Sequence, residues 1–320
     1  MKKEKLVSIL IPCYNHEDYV ADCLESILAQ TYQNIEILIC DDSSTDKSYS
    51  IIKEYESKLN ERFHRVVIFR NESNQGIVKN LNHLIINSKG YYLKNFASDD
   101  ILDPSAVEKM VEFYEQNPDY DVIYSNFMFI NENEHYPIKR GKERRTNYNN
   151  NNLPLIGMNL SKKLFYGCGV AAPSAFIKKD TYDKFGLYDE KYYLEDWEYW
   201  LRVSSSGSFG YYDGITVYYR ESSSSMSHLE NSDYGRMKFR KITSSCEDIL
   251  DKYKEYGSKD AWEIFYNNNV SSAFKINDLE YANTLRDHAN KHGISLSFKN
   301  RVKFIIPPMI LKAYFKVTRH

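Results

Sequence analysis

Two pairs of neighbouring aspartates each follow an apolar stretch of this sequence. The pair Asp41-Asp42 follows residues 35–40, and the pair Asp99-Asp100 follows residues 91–97. If both stretches are strands of one open α/β sheet, the pairs lie at its carboxyl edge, where such folds bind ligands. Adjacent carboxylates repel each other unless a cation or a donor-rich ligand offsets their charge. The spacing therefore predicts a site for a metal ion and a phosphate-bearing ligand.

The first 125 residues are predicted to alternate between strands and helices. Strands are predicted over residues 7–12, 35–40, 66–69, 91–97 and 122–125, and helices over residues 17–30, 46–59, 77–87 and 104–117. The last helix has Asp103 as its predicted cap and Pro104 as its first residue. Because strands and helices alternate in βαβ order, we expect an α/β fold with a mostly parallel sheet and helices on both faces.

The rest of the chain is less regular. Residues 126–165 include a basic stretch and an asparagine run, which predict a connection or an insertion over the site. Short strands around one helix at residues 194–204 are predicted next, and helices follow after residue 232. We therefore expect three regions: an α/β half over residues 1–125, a second half of the same domain over 126–231, and a helical region over 232–320.

Charge, cysteine content and missing motifs exclude several classes of protein. The formal net charge is -2, so no overall basic field favours nucleic acid. The five cysteines include no CxxC pair, which disfavours a zinc site or a disulfide framework and fits a reducing compartment. The apolar run at residues 6–13 is interpreted as the first strand rather than a secretion signal. It is not followed by a GxGxxG motif, so a nicotinamide or flavin enzyme is disfavoured.

Five short segments occur in a characteristic order and spacing. They are VSILIPCYN at residues 7–15, DDSSTD at 41–46, NQG at 74–76, SDD at 98–100, and Glu195-Asp196 followed by Trp200 and Arg202. As a set they resemble family 2 glycosyltransferases of the A-type fold, over roughly residues 6–228. The resemblance implies a GT-A-type, Rossmann-like sheet flanked by helices, with a helical extension at the C-terminus. It also implies transfer of a sugar from a nucleoside diphosphate donor with inversion at the anomeric carbon.

The resemblance assigns the donor site to the first half of the chain. Asp42 matches the aspartate that accepts a hydrogen bond from the donor base, usually uracil, whose N3 is a donor. The alternative is that Asp41 and Asp42 only form a turn and cap the next helix. The other residues that the resemblance places around the base, ribose and phosphates are Pro12, Tyr14, Asn15, Asn74, Gly76, Lys79 and Arg220.

The resemblance assigns a metal ion to the second aspartate pair. A hard divalent ion, Mn²⁺ or Mg²⁺, binds carboxylate and phosphate oxygens and neutralises charge on the departing diphosphate. The family pattern is Asp-x-Asp-Asp, and Ala97 replaces its first acid here. Asp100 is then the expected direct ligand, with Asp99 on the ribose or the metal and His228 as a further ligand. The alternative is an acidic cluster that only stabilises the start of a helix.

The resemblance makes Asp196 the general base that removes a proton from the acceptor hydroxyl, with Glu195 as the reserve candidate. A single positioned carboxylate is enough for inversion, because no covalent intermediate forms. The alternative is that the two acids only cap the helix before Trp197. On this resemblance, residues 1–125 form the nucleotide-sugar-binding half. Residues 126–231 form the acceptor-binding, catalytic half.

The C-terminal segment at residues 299–320 holds six Lys or Arg and no acid, interleaved with apolar residues. This pattern is typical of a segment that lies in an anionic membrane interface, although it also fits a tail packed on the enzyme's own surface. A membrane-bound tail would favour a polyprenyl-linked saccharide acceptor. It would place a cytoplasmic protein peripherally on the inner face of the cell membrane.

The main hypothesis is a metal-dependent glycosyltransferase of surface polysaccharide synthesis, acting on a nucleotide-sugar donor and a saccharide or lipid-linked saccharide acceptor. A sugar nucleotidyltransferase is a second possibility, but it would need a glycine-rich first turn. A non-catalytic sugar-nucleotide-binding or scaffold subunit is the third. The joint presence of Asp42, Asp100 and Asp196 argues against it.

Overall fold

The computed structural model describes residues 4–138, 154–221 and 231–305. The chain divides into two compact units. One comprises residues 1–190 and 195–223, and the other comprises residues 191–194 and 224–320. The predicted boundaries at 125/126 and 231/232 stay predictions. His228 and the end of the predicted tail, from residue 306, lie outside the described residues.

The described part of the first unit contains an eight-stranded sheet. Its strands are β1 Val7–Cys13, β2 Ile35–Asp41, β3 Val66–Arg70, β4 Tyr92–Asn95, β5 Ile101–Leu102, β6 Val122–Asn131, β7 Ala175–Lys178 and β8 Phe209–Glu221. Their order in the sheet is β3-β2-β1-β4-β7-β6-β8-β5. The pairs β3–β2, β2–β1, β1–β4 and β6–β8 are parallel. Strand β7 pairs with β4 and β6 in antiparallel fashion, and β5 pairs with β8 in the same way. This confirms the predicted α/β fold with a mostly parallel sheet.

Helices connect these strands. They are α1 Val20–Leu28, α2 Ser48–Arg62, α3 Ile77–Asn87, α4 Ala106–Gln116, α5 Ser161–Phe165, α6 Lys179–Phe185 and α7 Glu195–Val203. The core of the sheet is made of fully buried apolar runs, since every residue of β1 and β2 is buried. Such runs suit parallel strands that are covered on both faces.

Three of the helices predicted in the first 125 residues begin later than expected, including α2, which starts at Ser48 rather than at residue 46. The first starts at Val20 rather than at residue 17, because the side chains of Asp46 and Ser48 hold residues 16 and 17: the N–H of His16 donates to Ser48 Oγ and that of Glu17 donates to Asp46. The fourth starts at Ala106, because Asp103 accepts the N–H of Ser105 and forms a turn instead of capping the helix directly.

The described part of the second unit is helical, as predicted for the region after residue 232. It contains α8 Asp233–Lys252, α9 Lys259–Lys275, α10 Leu279–Lys291 and α11 Phe298–Lys303. Its apolar core includes Tyr266, Val270 and Leu285, which are fully buried. Among the described helices of the chain, none has the length and apolar character needed to cross a membrane.

Candidate functional site

Three loops meet at the carboxyl edge of the sheet because the strands before them are parallel neighbours. Cys13 at the end of β1 pairs with Asp41 at the end of β2, and Leu10 pairs with Asn95 at the end of β4. The loops after β1, β2 and β4 therefore emerge side by side. They carry the predicted donor and metal residues, so the shared edge predicted from the two aspartate pairs is present.

The loop after β1 bridges the other two. The N–H of Asn15 donates to Ser44 Oγ at 3.0 Å, and Asn15 Oδ1 accepts the N–H of Thr45 at 2.9 Å. On the other side, His16 Nδ1 lies 2.8 Å from Ser98 Oγ. Asn15 also has a φ of 53°, in the left-handed region that only a few non-glycine residues adopt. The cross-links hold that backbone in place, and strained positions of this kind cluster at binding sites.

Asp42 is almost fully buried and holds the loop that leads into α3. Its Oδ1 accepts from Asn71 Nδ2 at 2.8 Å and from the N–H of Gln75 at 2.7 Å, and its Oδ2 accepts from the N–H of Gly76 at 2.9 Å. Gly76 has a φ of 85°, which suits glycine. A carboxylate has about four acceptor positions, so one remains for a donor group from outside.

The other predicted donor residues lie around this loop at different depths. Pro12 is buried at the end of β1, whereas Tyr14 is 43% exposed beside it. Asn74 is exposed in the loop before Gly76, and Lys79 is exposed on α3. The predicted donor site therefore combines exposed polar and aromatic side chains with the buried carboxylate of Asp42.

Asp100 is buried beside the more exposed Asp99. Its Oδ1 accepts the backbone N–H of Arg220 at 2.9 Å, whereas its Oδ2 is buried and has no hydrogen-bond partner among residues 4–138, 154–221 and 231–305. Burial, and then the negative charge of Asp99, raises the pKa of Asp100 well above its usual range. Lys94 in β4 is buried in the same region, and its burial lowers its pKa to about 7.

An unpartnered carboxylate oxygen beside a second carboxylate fits a hard divalent ion. In the described part of the chain, however, no three His, Cys, Asp or Glu side chains are arranged to hold a metal. Asp99 and Asp100 would therefore supply two protein ligands, and the remaining positions would go to phosphate oxygens and water. His228 lies outside the described residues, so its predicted role as a ligand stays a prediction.

Arg220 is buried and ties together the loops behind the acidic pair. Its Nε donates to the carbonyl of Asp99 at 2.7 Å, one terminal nitrogen donates to the carbonyl of Asn131 at 3.1 Å, and the other lies 3.4 Å from Asp22 Oδ2. The guanidinium also lies 4.6 Å from the centre of the Tyr19 ring. These contacts position Asp99 and Asp100, and the predicted contact of Arg220 with the donor stays a prediction.

Glu195 and Asp196 form the first turn of α7 and are partly buried. Asp196 Oδ1 accepts the N–H of Trp197 at 2.7 Å, and the Trp197 indole N–H donates to the carbonyl of Leu164 at 2.6 Å. Burial raises the pKa of Asp196, and burial together with the charge of Asp196 raises the pKa of Glu195 to about 8. A carboxylate with a raised pKa is a stronger base, which is the property a proton acceptor needs.

Tyr219 on β8 shows that the acidic pair and α7 face a common region. Its pKa is raised by burial and then by the negative charges of Asp100, Asp99 and Asp196. The charges of these three carboxylates therefore all act on one hydroxyl. The sequence analysis did not identify Tyr219, because nothing in an alternating strand marks one tyrosine among several.

Comparisons with known proteins give one consistent result. The model of the family described as "Glycosyl transferase family 2" matches residues 8–177. An uncharacterized glycosyltransferase of Haemophilus influenzae is 29% identical over 272 residues, covering 83% of this chain and 82% of the relative.

Two solved structures share the fold. A chain of residues 1–349 of S. aureus TarS in complex with UDP has a TM-score of 0.56 and 18% identity, covering 85% of this chain and 75% of that chain. The mannosyltransferase PcManGT of Pyrobaculum calidifontis, in complex with GDP-Man and Mn²⁺, has a TM-score of 0.54 and 10% identity. That match covers 98% of this chain and 84% of the mannosyltransferase. At these identities the likeness shows a common GT-A-like fold.

Proposed function

This chain belongs to glycosyl transferase family 2, and we propose that it transfers a sugar from a UDP-sugar donor to a saccharide acceptor with inversion at the anomeric carbon. The observation that carries the proposal is the pair Asp99 and Asp100 after β4, where Asp100 keeps a buried oxygen with no partner among the described residues, together with Asp196 in the first turn of α7. This arrangement combines two carboxylates suited to a metal ion with a third suited to proton removal. The complex of TarS with UDP supports the choice of nucleotide.

Asp99 and Asp100 would hold Mn²⁺ or Mg²⁺ at the edge of the sheet. The ion, when bound, would supply charge neutralisation for the departing nucleoside diphosphate. The mannosyltransferase of similar fold in complex with Mn²⁺ supports this cofactor. Arg220 holds the carboxylate of Asp100 through its backbone N–H and the backbone carbonyl of Asp99 through its Nε.

Asp196 performs the proton transfer. It accepts the proton of the acceptor hydroxyl as that oxygen bonds to the anomeric carbon. The bond from this carbon to the diphosphate oxygen breaks, and its electron pair leaves with the nucleoside diphosphate. Attack from the face opposite the leaving group inverts the configuration, and no covalent sugar–enzyme intermediate forms.

A panel of UDP-sugars and GDP-sugars tests the proposed activity. We expect release of UDP from at least one UDP-sugar in the presence of Mn²⁺, and loss of that release when the ion is chelated. Binding of UDP without turnover of any sugar nucleotide would instead support a non-catalytic sugar-nucleotide-binding or scaffold subunit. Release of pyrophosphate from a nucleoside triphosphate would support a nucleotidyltransferase.

The proposed acceptor rests on the sequence of the C-terminal segment. We propose a saccharide or polyprenyl-linked saccharide of surface polysaccharide synthesis, because the segment at residues 299–320 combines basic and apolar residues in a way that suits a membrane surface. On this proposal the protein acts in the cytoplasm, at the inner face of the membrane.

Asp42→Asn should weaken the binding of UDP about tenfold to 100-fold. The amide cannot accept all three hydrogen bonds from Asn71, Gln75 and Gly76 and still present an acceptor to uracil, and hydrogen bonds to a charged group contribute about 1.5–3 kcal/mol. Isothermal titration calorimetry with UDP and Mn²⁺ measures the change. Glu72→Gln, an exposed substitution in the same loop, is the control. Equal affinity of Asp42→Asn and wild type would refute the role of Asp42 in the donor site.

Glu195→Gln should stabilise the protein at alkaline pH. The pKa of Glu195 is about 8 in the folded state and close to 4.5 when unfolded, so the folded state binds more protons between these values and wild-type stability falls as pH rises through this window. The glutamine variant does not undergo this loss. We expect about 1–3 kcal/mol of added stability at pH 8.5, after allowance for partial exposure, and none at pH 4.

Thermal unfolding at the two pH values measures this difference. Glu190→Gln, at an exposed position, should have the melting temperature of wild type at both pH values. If the stability of Glu195→Gln differed from that of wild type by the same amount at pH 4 and at pH 8.5, the raised pKa of Glu195 would not be the cause of that difference.

A further inference from the structure

Cys168 lies next to the carboxylate of Asp196. Its Sγ is 3.6 Å from Asp196 Oδ2, as a hydrogen-bond donor, and 3.1 Å from the carbonyl of Val170. The other carboxylate oxygen, Oδ1, accepts the N–H of Trp197. The thiol has one proton, for which Asp196 Oδ2 and the Val170 carbonyl compete. When the proton points to Asp196, each oxygen of that carboxylate has one donor, and the two donors come from different parts of the chain.

The turn that carries Cys168 is fixed in position relative to α7. The Trp197 indole donates to the carbonyl of Leu164 in α5, and the hydroxyls of Ser161 and Ser204 lie 2.8 Å apart. After α5 the chain passes through Gly167-Cys168-Gly169. A Cβ at Gly169 would lie 2.6 Å from Leu155 Cδ1, so this turn packs too closely for a larger residue. The backbone thus holds the thiol beside the carboxylate.

We propose that Cys168 is a positioning residue for the general base: its thiol donates a hydrogen bond to Asp196 and fixes the carboxylate in the orientation that receives the proton of the acceptor. This inference rests on the proposed role of Asp196. Cys168 itself does not touch the reacting atoms and undergoes no covalent step.

The protonation state of the thiol suits this role. Although Cys168 is an exposed residue, desolvation of its thiol, and then the charge of Asp196, raises its pKa well above its usual range. The residue therefore stays a neutral donor at physiological pH, whereas a thiolate would repel the carboxylate. The titratable groups that face Asp196 are Glu195 on its own helix, Cys168 on the turn after α5 and Tyr219 on β8.

The hydrogen bond from Cys168 lowers the pKa of Asp196, against the larger opposite effect of burial. Removal of the donor should therefore raise the pKa of the base. Because Asp196 acts in its deprotonated form, the loss of activity should be largest at low pH and should shrink as pH rises. A residue that served only to fill space would lower activity equally across the pH range.

The test is the pH profile of kcat for Cys168→Ala, with transfer measured from the active UDP-sugar. We expect its acidic limb to move to higher pH, giving about threefold to tenfold lower kcat at pH 6 and near wild-type kcat at pH 9. The KM for the donor should not change. Cys168→Ser restores an O–H donor at this position and should have an acidic limb between those of wild type and Cys168→Ala.

Cys246→Ala, at a half-buried position in the second unit, is the matched control and should have the wild-type profile. A profile of Cys168→Ala identical to wild type, or an acidic limb of Cys168→Ser shifted as far as that of Cys168→Ala, with Asp196→Asn inactive, would overturn the role of Cys168 and leave the proposed function intact. Full activity of Asp196→Asn would overturn both. Circular dichroism and the melting temperature establish that each variant is folded, and the serine variant keeps the test valid if the alanine variant is not.

Discussion

Asp196→Asn should lower kcat for sugar transfer by about 100-fold to 10,000-fold, the range that a positioned general base contributes. The asparagine keeps the shape of the side chain and its hydrogen bond with the N–H of Trp197, but it cannot accept a proton. Since Asp196 acts on the acceptor rather than on the nucleotide, the affinity for UDP should stay at the wild-type value. Transfer rates and calorimetry with UDP separate the two effects.

The control for this variant is Glu190→Gln, which also replaces an acid by its amide and lies exposed outside the site. It should keep wild-type kcat. Glu195→Gln distinguishes the two candidate bases, because it should retain measurable transfer if Asp196 is the base. Wild-type kcat in Asp196→Asn, with inactivity in Glu195→Gln, would transfer the role to Glu195.

Asp99→Asn and Asp100→Asn should each weaken Mn²⁺-dependent binding of UDP by about 100-fold. The reason is that each variant removes one of the two carboxylates proposed to hold the ion, and an ion on a diphosphate contributes several kcal/mol. Wild type with a chelator should bind UDP as weakly as the variants bind it with Mn²⁺. Calorimetry with UDP, with and without Mn²⁺, measures wild type and both variants.

The melting temperature of each variant establishes that it is folded. Burial raises the pKa of Asp100, so a neutral side chain at that position avoids the cost of a buried charge. Asp18→Asn, at an exposed position in the loop after β1, is the matched control and should bind UDP like wild type. Wild-type affinity and metal dependence in both Asp99→Asn and Asp100→Asn would show that the ion does not bind at this pair.

The fold was predictable from the sequence because local patterns determine most of it. The apolar runs of β1 and β2 are long enough to be unmistakably buried, and the helices between them keep a regular apolar stripe. The starts of α1 and α4 were not predictable, since the hydrogen bonds at these positions come from the side chains of Asp46 and Ser48 and from that of Asp103. The antiparallel insertion of β7 between β4 and β6 depends on pairing over long distances in sequence.

The sequence predicted the candidate site only where its acidic residues directly follow a predicted strand. The position of Asp100 depends on β8, because the backbone N–H of Arg220, 120 residues away in the sequence, donates to its carboxylate. The contact of Cys168 with Asp196 spans 28 residues and has no periodic pattern. A cysteine flanked by two glycines was the one signal that could have drawn attention to it.

The central claim is that the loops after β2 and β4 hold one sugar nucleotide across the carboxyl edge of the sheet. A crystal structure of the protein with UDP and Mn²⁺ tests it most directly. We expect uracil N3 within hydrogen-bond distance of Asp42, and Mn²⁺ between the diphosphate and the carboxylates of Asp99 and Asp100. UDP bound with its base away from Asp42, or an ion coordinated by neither Asp99 nor Asp100, would contradict the account.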